Sequence, residues 1–89
     1  MTQAHILYSG AVQGVGFRFT VQRCAIKLAL KGWVRNLPSG SVEVIVEGAR
    51  QDIEQLCQDI EGRFTDYIRD KEISFRPVTN QFESFQIAY

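Results

Sequence analysis

Two cysteines and one histidine are all the chain holds of the residues that build disulfide frameworks and metal centres. Cys24 and Cys57 stand outside any CxxC pair, which excludes a disulfide scaffold and a zinc site of the usual spacing. Both fall on apolar helical faces and are expected as buried thiols; a Cys24–Cys57 bridge stays open if the two helices lie side by side. Charge of one sign is missing as well. Ten basic and ten acidic residues cancel, so no general field draws the chain to nucleic acid or an anionic membrane, and any anion must be captured locally. No apolar run approaches the roughly 18 residues that span a bilayer, and Met1-Thr2-Gln3-Ala4-His5 lacks the positive start of a signal peptide. A cytoplasmic protein is expected. No repeat and no low-complexity tract is visible.

What is present is ordinary globular material. At 89 residues, 45% hydrophobic and 22% charged, the chain makes one small domain, residues 1–89, with a modest core. Nothing in its pattern demands a partner, so a monomer is expected. His5 to Val12 reads as a strand running into Gln13-Gly14-Val15-Gly16. From Arg18 to Leu30, Val21, Cys24, Ala25 and Leu28 recur at helical spacing, with Gln22, Arg23 and Lys27 opposite and Gly32 as the stop. Gly32 to Leu37 and Ser41 to Gly48 form a hairpin about Pro38-Ser39-Gly40, its second arm placing Val42, Val44 and Val46 on one face. A second helix carries Ile53, Leu56, Cys57 and Ile60 and ends at Gly62; Phe64 to Asp70 reads as a connection, and Glu72 to Pro77 and Phe82 to Tyr89 as strands. The order βαββαβ, with an extra terminal strand, predicts an α/β (α+β) ferredoxin-like sandwich: a mostly antiparallel sheet with two helices on one face.

The stretch Val12-Gln13-Gly14-Val15-Gly16-Phe17-Arg18 carries the chemistry. Alternate glycines let successive N–H groups converge on one point, and the following helix adds the positive end of its dipole, a combination suited to an anion. Arg18 opposes that dipole in the first turn, a placement that a bound dianion would compensate. The same residues also fit a plain strand-to-helix turn with a solvated arginine. Neither GxxxxGK(S/T) nor a third glycine is present, so nucleotide and dinucleotide fingerprints are excluded.

A helix of about 13 residues runs back roughly 20 Å and a strand returns a similar distance, so Asn36 should meet the loop at one edge of the sheet. His5, placed some 30 Å away by roughly 3.3 Å per residue, is discounted as a base. Asn36 also fits a turn residue before Leu37-Pro38-Ser39-Gly40. Ser9 and Thr20 have no partner base, which argues against covalent catalysis. Anion donors and one amide suffice to stabilise a phosphoryl transition state and aim a water, provided the leaving group departs without protonation. A carboxylate does so, which points to a mixed carboxylic–phosphoric anhydride as substrate.

At these residues the sequence closely resembles the acylphosphatases. Gly10-Ala11-Val12-Gln13-Gly14-Val15-Gly16-Phe17-Arg18 is similar to the family's first signature, and Gly32-Trp33-Val34-Arg35-Asn36 with Gly40-Ser41-Val42-Glu43-Val44 to its second. The terminal Phe85-Gln86-Ile87-Ala88-Tyr89 is also similar to the family's ending. The likeness departs at Glu61 to Tyr67, where the family often has a Gly-Pro segment, so the path of residues 62–71 is not predicted. The resemblance implies a metal-independent, cofactor-free hydrolase of small acyl phosphates with a ferredoxin-like fold. Arg18 matches the arginine that binds phosphate together with the loop N–H groups of residues 13–18, and Asn36 the asparagine that orients the attacking water. Two alternatives remain: a phosphate-sensing module using the same cradle, and a nucleic-acid binder stacking bases on the sheet, the latter opposed by the neutral charge and the lack of a paired aromatic motif.

Overall fold

The computed structural model describes all 89 residues, Met1–Tyr89. Five strands and two helices follow in the order β1 (Thr2–Gly10), α1 (Phe17–Lys27), β2 (Lys31–Asn36), β3 (Val42–Gly48), α2 (Arg50–Arg63), β4 (Ile68–Pro77) and β5 (Phe85–Ile87). The sheet order is β4-β1-β3-β2-β5. All pairings are antiparallel except β2 with β5, which run parallel. This is the predicted βαββαβ plan with its extra strand.

Alternation along the strands decides what the helices cover. Ala4, Ile6 and Tyr8 of β1, Val34 of β2 and Val42, Val44 and Val46 of β3 are fully buried, and they meet Val21, Cys24 and Ala25 of α1 and Ile53, Leu56, Cys57 and Ile60 of α2 in one core. Cys24 and Cys57 are buried free thiols. At the rim of the core Tyr8 donates its hydroxyl to Glu61 at 2.8 Å, and the Lys71 ammonium lies 2.7 Å from the same carboxylate oxygen. Burial, with that carboxylate and the Cys57 thiol nearby, pushes the phenol well above its ordinary pKa.

Several boundaries differ from the sequence expectations, each for a local reason. β1 begins at Thr2 rather than His5, because Thr2 to Ala4 still find partners on both sides. α1 stops at Lys27: Ala29 takes the left-handed conformation (φ 56°), and the Leu30 N–H reaches back to the Ala25 carbonyl at 2.9 Å, closing the last turn without glycine. Gly32 is therefore no helix stop. It lies in β2 at φ 139°, where a Cβ would run into the Ile45 carbonyl of β3. Gly62 sits inside α2, which continues to Arg63 and ends at buried Phe64. Residues 68–70, read as connection, already pair with β1, and the last strand is confined to Phe85–Ile87.

Between β4 and β5 the chain is tied down by Glu47, which is only 5% exposed. Its carboxylate accepts from the Gln3 amide at 2.7 Å, the Thr79 hydroxyl at 2.7 Å, the Thr79 N–H at 2.8 Å and the Asn80 N–H at 3.1 Å. Burial alone would raise its pKa; the Thr79, Gln3 and Asn80 donors outweigh that and hold it below the usual carboxylate value. A lowered folded-state pKa stabilises the fold above the unfolded-state value and stops doing so as pH falls through the folded-state one. Glu47→Gln is expected to cost about 2 kcal/mol at neutral pH. The deficit relative to wild type, read from urea midpoints, should shrink as pH drops below the ordinary carboxylate range.

Candidate active site

The loop between β1 and α1 is shaped from both ends. A register shift at Ser9/Gly10 bends the end of β1, and the Ala11 N–H is held by the Tyr67 carbonyl at 2.9 Å. Gly14 and Gly16 take φ 80° and 81°, and Gly16 caps α1 in the left-handed region that a residue with a Cβ rarely adopts. Phe17 anchors the far end, fully buried between Tyr8 (ring centroids 5.4 Å apart) and Phe64 (4.8 Å).

Gln13 acts as more than a backbone donor. Its side-chain amide spans to the Leu37 carbonyl at 2.8 Å and the Ser41 carbonyl at 3.0 Å, bracing the loop against the β2–β3 turn. That brace brings the two motifs together. Asn36, the last residue of β2, lines one concavity of about 150 Å³ with Gly14, Gly16, Arg18 and the Phe17 segment, as the sheet geometry predicted. Gln13 and Val15 lie beside it but do not line it, and the Phe17 ring is committed to the core, leaving only its backbone to face the site.

The polar groups here share one property, the lack of a protein partner. None of the N–H groups of Gln13, Gly14, Val15, Gly16, Phe17 and Arg18 donates to a carbonyl or side chain. No side chain caps α1, and no acidic residue stands in its first turn. Arg18 forms no ion pair; its guanidinium instead lies 5.4 Å from the centre of the Tyr89 ring. The Asn36 Oδ1 is buried without a donor, the one side-chain polar atom in the protein so placed. An unpaired buried acceptor costs about 1–3 kcal/mol, which a single water donating to it removes.

The remaining candidates have structural occupations. Thr20 donates its hydroxyl to the Gly16 carbonyl at 3.0 Å, and Ser9 bonds Ser41 at 3.0 Å, so neither is poised as a nucleophile. His5 is nearer than the expected 30 Å, since it sits mid-strand in a molecule whose longest dimension is 31 Å. It is set apart by orientation instead: between inward-facing Ala4 and Ile6, it points to the other face of the sheet and bonds Glu43 at 2.7 Å. Glu43 also takes Arg35 at 2.8 Å; burial opposes its charge, but these two partners prevail and hold its pKa below the usual value. Ile87 and Tyr89, which complete the wall over Arg18, were not singled out from sequence. The alternation of Phe85, Ile87 and Tyr89 was the available signal; what it lacked was the parallel pairing of β5 with β2 that carries them to the loop.

The family model described as acylphosphatase matches residues 4–87. An acylphosphatase of Aeropyrum pernix is 40% identical over 91 residues, spanning 100% of this chain and 90% of that protein. One of Bacillus licheniformis is 38% identical over 90 residues, with both chains covered in full. The crystal structure of acylphosphatase from Bacillus subtilis superposes with a TM-score of 0.91 at 31% identity, again over 100% of both chains. With a family model and full-length relatives agreeing over nearly every residue, both motifs included, the chain belongs to the acylphosphatase family.

Proposed function

We propose that residues 1–89 act as one monomeric, cytoplasmic enzyme domain that hydrolyses small acyl phosphates to carboxylate and phosphate. The observation that carries this reading is the gathering of partnerless groups: the backbone N–H donors of Gly14, Gly16, Phe17 and Arg18, an unpaired guanidinium and one buried unpaired amide oxygen on residues that line a single concavity. Donors of that number and sign match the three oxygens of a phosphoryl group. The amide oxygen matches a water that donates one hydrogen to Asn36 while its lone pair faces phosphorus.

In this mechanism the water oxygen forms a bond to phosphorus as the bond from phosphorus to the acyl oxygen breaks. The electron pair leaves with the carboxylate, and the water's proton passes to an oxygen of the transferred phosphoryl group. The N–H groups and Arg18 neutralise charge on the phosphoryl oxygens throughout. A carboxylate is a stable anion at neutral pH, so its departure calls for no general acid. At about 150 Å³ the concavity is well below the roughly 300–1,000 Å³ of sites for drug-sized ligands, and accepts little beyond the phosphoryl end of a substrate.

The test is hydrolysis of benzoyl phosphate with and without EDTA. Turnover that survives the chelator is expected. A folded protein that binds phosphate yet leaves benzoyl phosphate intact would make the cradle a sensor instead.

A further inference from the structure

Gly14, Gly16, Phe17 and Arg18 line the cradle and carry backbone N–H groups that no protein acceptor holds. Like ends of N–H dipoles gathered at one place repel one another, and glycine at two of the four positions leaves the backbone free to relax away from that arrangement. Such a loop keeps its shape by being held from outside.

One short turn holds it at both ends. Phe64, where α2 ends, packs its ring on that of Phe17 with centroids 4.8 Å apart. Tyr8, fixed by its bond to Glu61, flanks the Phe17 ring at 5.4 Å, and the Phe17 residue is only 2% exposed, so its backbone goes where its ring is held. The Phe64 carbonyl accepts the Tyr67 N–H at 2.9 Å and the Ile68 N–H at 3.0 Å, turning the chain so that the Tyr67 carbonyl meets the Ala11 N–H at 2.9 Å. Gly10 lets the two segments close, since a Cβ there would strike that same carbonyl. The ring of Phe64 thus bears on the end of the loop that enters α1, and its carbonyl on the end that leaves β1. Phe64 itself does not line the concavity, so its influence passes through Phe17 and Tyr67.

We propose that Phe64 is a positioning residue for the cradle: through Phe17 and the Tyr67 carbonyl it keeps the loop N–H groups in the geometry that receives the phosphoryl oxygens. This rests on the reading of the β1–α1 loop as the phosphoryl site. The stretch after α2, whose path the sequence left open, is on this account part of what makes the loop a site.

The experiment compares Phe64→Leu with Ile53→Val, a change to a fully buried residue of the same core that lies on α2 about 16 Å from Phe64 along the helix. Both should lower the urea midpoint. In Phe64→Leu, kcat/KM for benzoyl phosphate should fall about 10- to 100-fold and the inhibition constant for inorganic phosphate should rise about five- to tenfold. The amide resonances of Gly14 and Gly16 should shift in the same variant without phosphate, whereas Ile53→Val should leave all three readouts near wild type. Phe64→Met, closer in volume but without a rigid ring, should give the same pattern in milder form and stands in if Phe64→Leu does not fold. A folded Phe64 variant with wild-type glycine resonances and phosphate inhibition, or equal losses in Ile53→Val, overturns the positioning role. A wild type that neither binds phosphate nor hydrolyses benzoyl phosphate overturns the phosphoryl-site reading instead, and the glycine resonances, which need no substrate, tell the two failures apart.

Discussion

Arg18→Ala is expected to lower kcat/KM for benzoyl phosphate by about 10³- to 10⁵-fold, and to weaken competitive inhibition by inorganic phosphate. The guanidinium is the only full positive charge that lines the concavity, and no carboxylate shares it. Its five donors can grip two phosphoryl oxygens at once, in the ground state and as charge moves to the leaving oxygen. Loss should therefore appear in KM as well as kcat. Arg18→Lys keeps the charge but not the fork, and should recover only part of the activity. An Arg18→Ala protein retaining most of its turnover would mean that the loop N–H groups alone carry the transition state.

Asn36→Ala should behave differently. Turnover is expected to fall by about 10²- to 10³-fold or more, while phosphate inhibition stays near wild type, because the proposed mechanism has the amide hold the water and not the anion. Stability should hold near wild type. The Asn36 Oδ1 is a buried acceptor with no protein donor, so its removal breaks no hydrogen bond within the fold. A variant that melts no lower than wild type, binds phosphate and does not hydrolyse benzoyl phosphate would isolate water positioning from both folding and binding. A fully active Asn36→Ala protein would remove Asn36 from the mechanism.

How far these residues could be read from sequence depends on how local their causes are. The meeting of Asn36 with the loop was legible, because one helix and one strand of similar span must return the chain to its starting edge. The end of α1 was not: Ala29 in the left-handed region is an exception to the usual preference for glycine, and Gly32, the obvious stop, serves the close approach of β2 to the Ile45 carbonyl. Residues 68–70 looked like a connection because only one side of β4 is paired and most of its residues face solvent, which erases the apolar alternation that marks a covered strand. The bracing role of the Gln13 side chain depends on carbonyls 24 and 28 positions further on, and no local pattern announces it. Tyr89 reaches Arg18 only through the β2–β5 pairing, which periodicity cannot assign.

The ten-residue β4 has a further consequence, for association between molecules. One of its sides pairs with β1 and the other is a free row of backbone donors and acceptors, the kind of template on which a strand from another copy can add. The run Arg69-Asp70-Lys71-Glu72 places four charges along that row, and Pro77 withholds an N–H at its end. An incoming identical strand would have to desolvate those charges while finding one donor fewer. The same polarity that hid β4 from a reading of hydrophobic alternation thus guards the open side of the sheet against fibrillar growth.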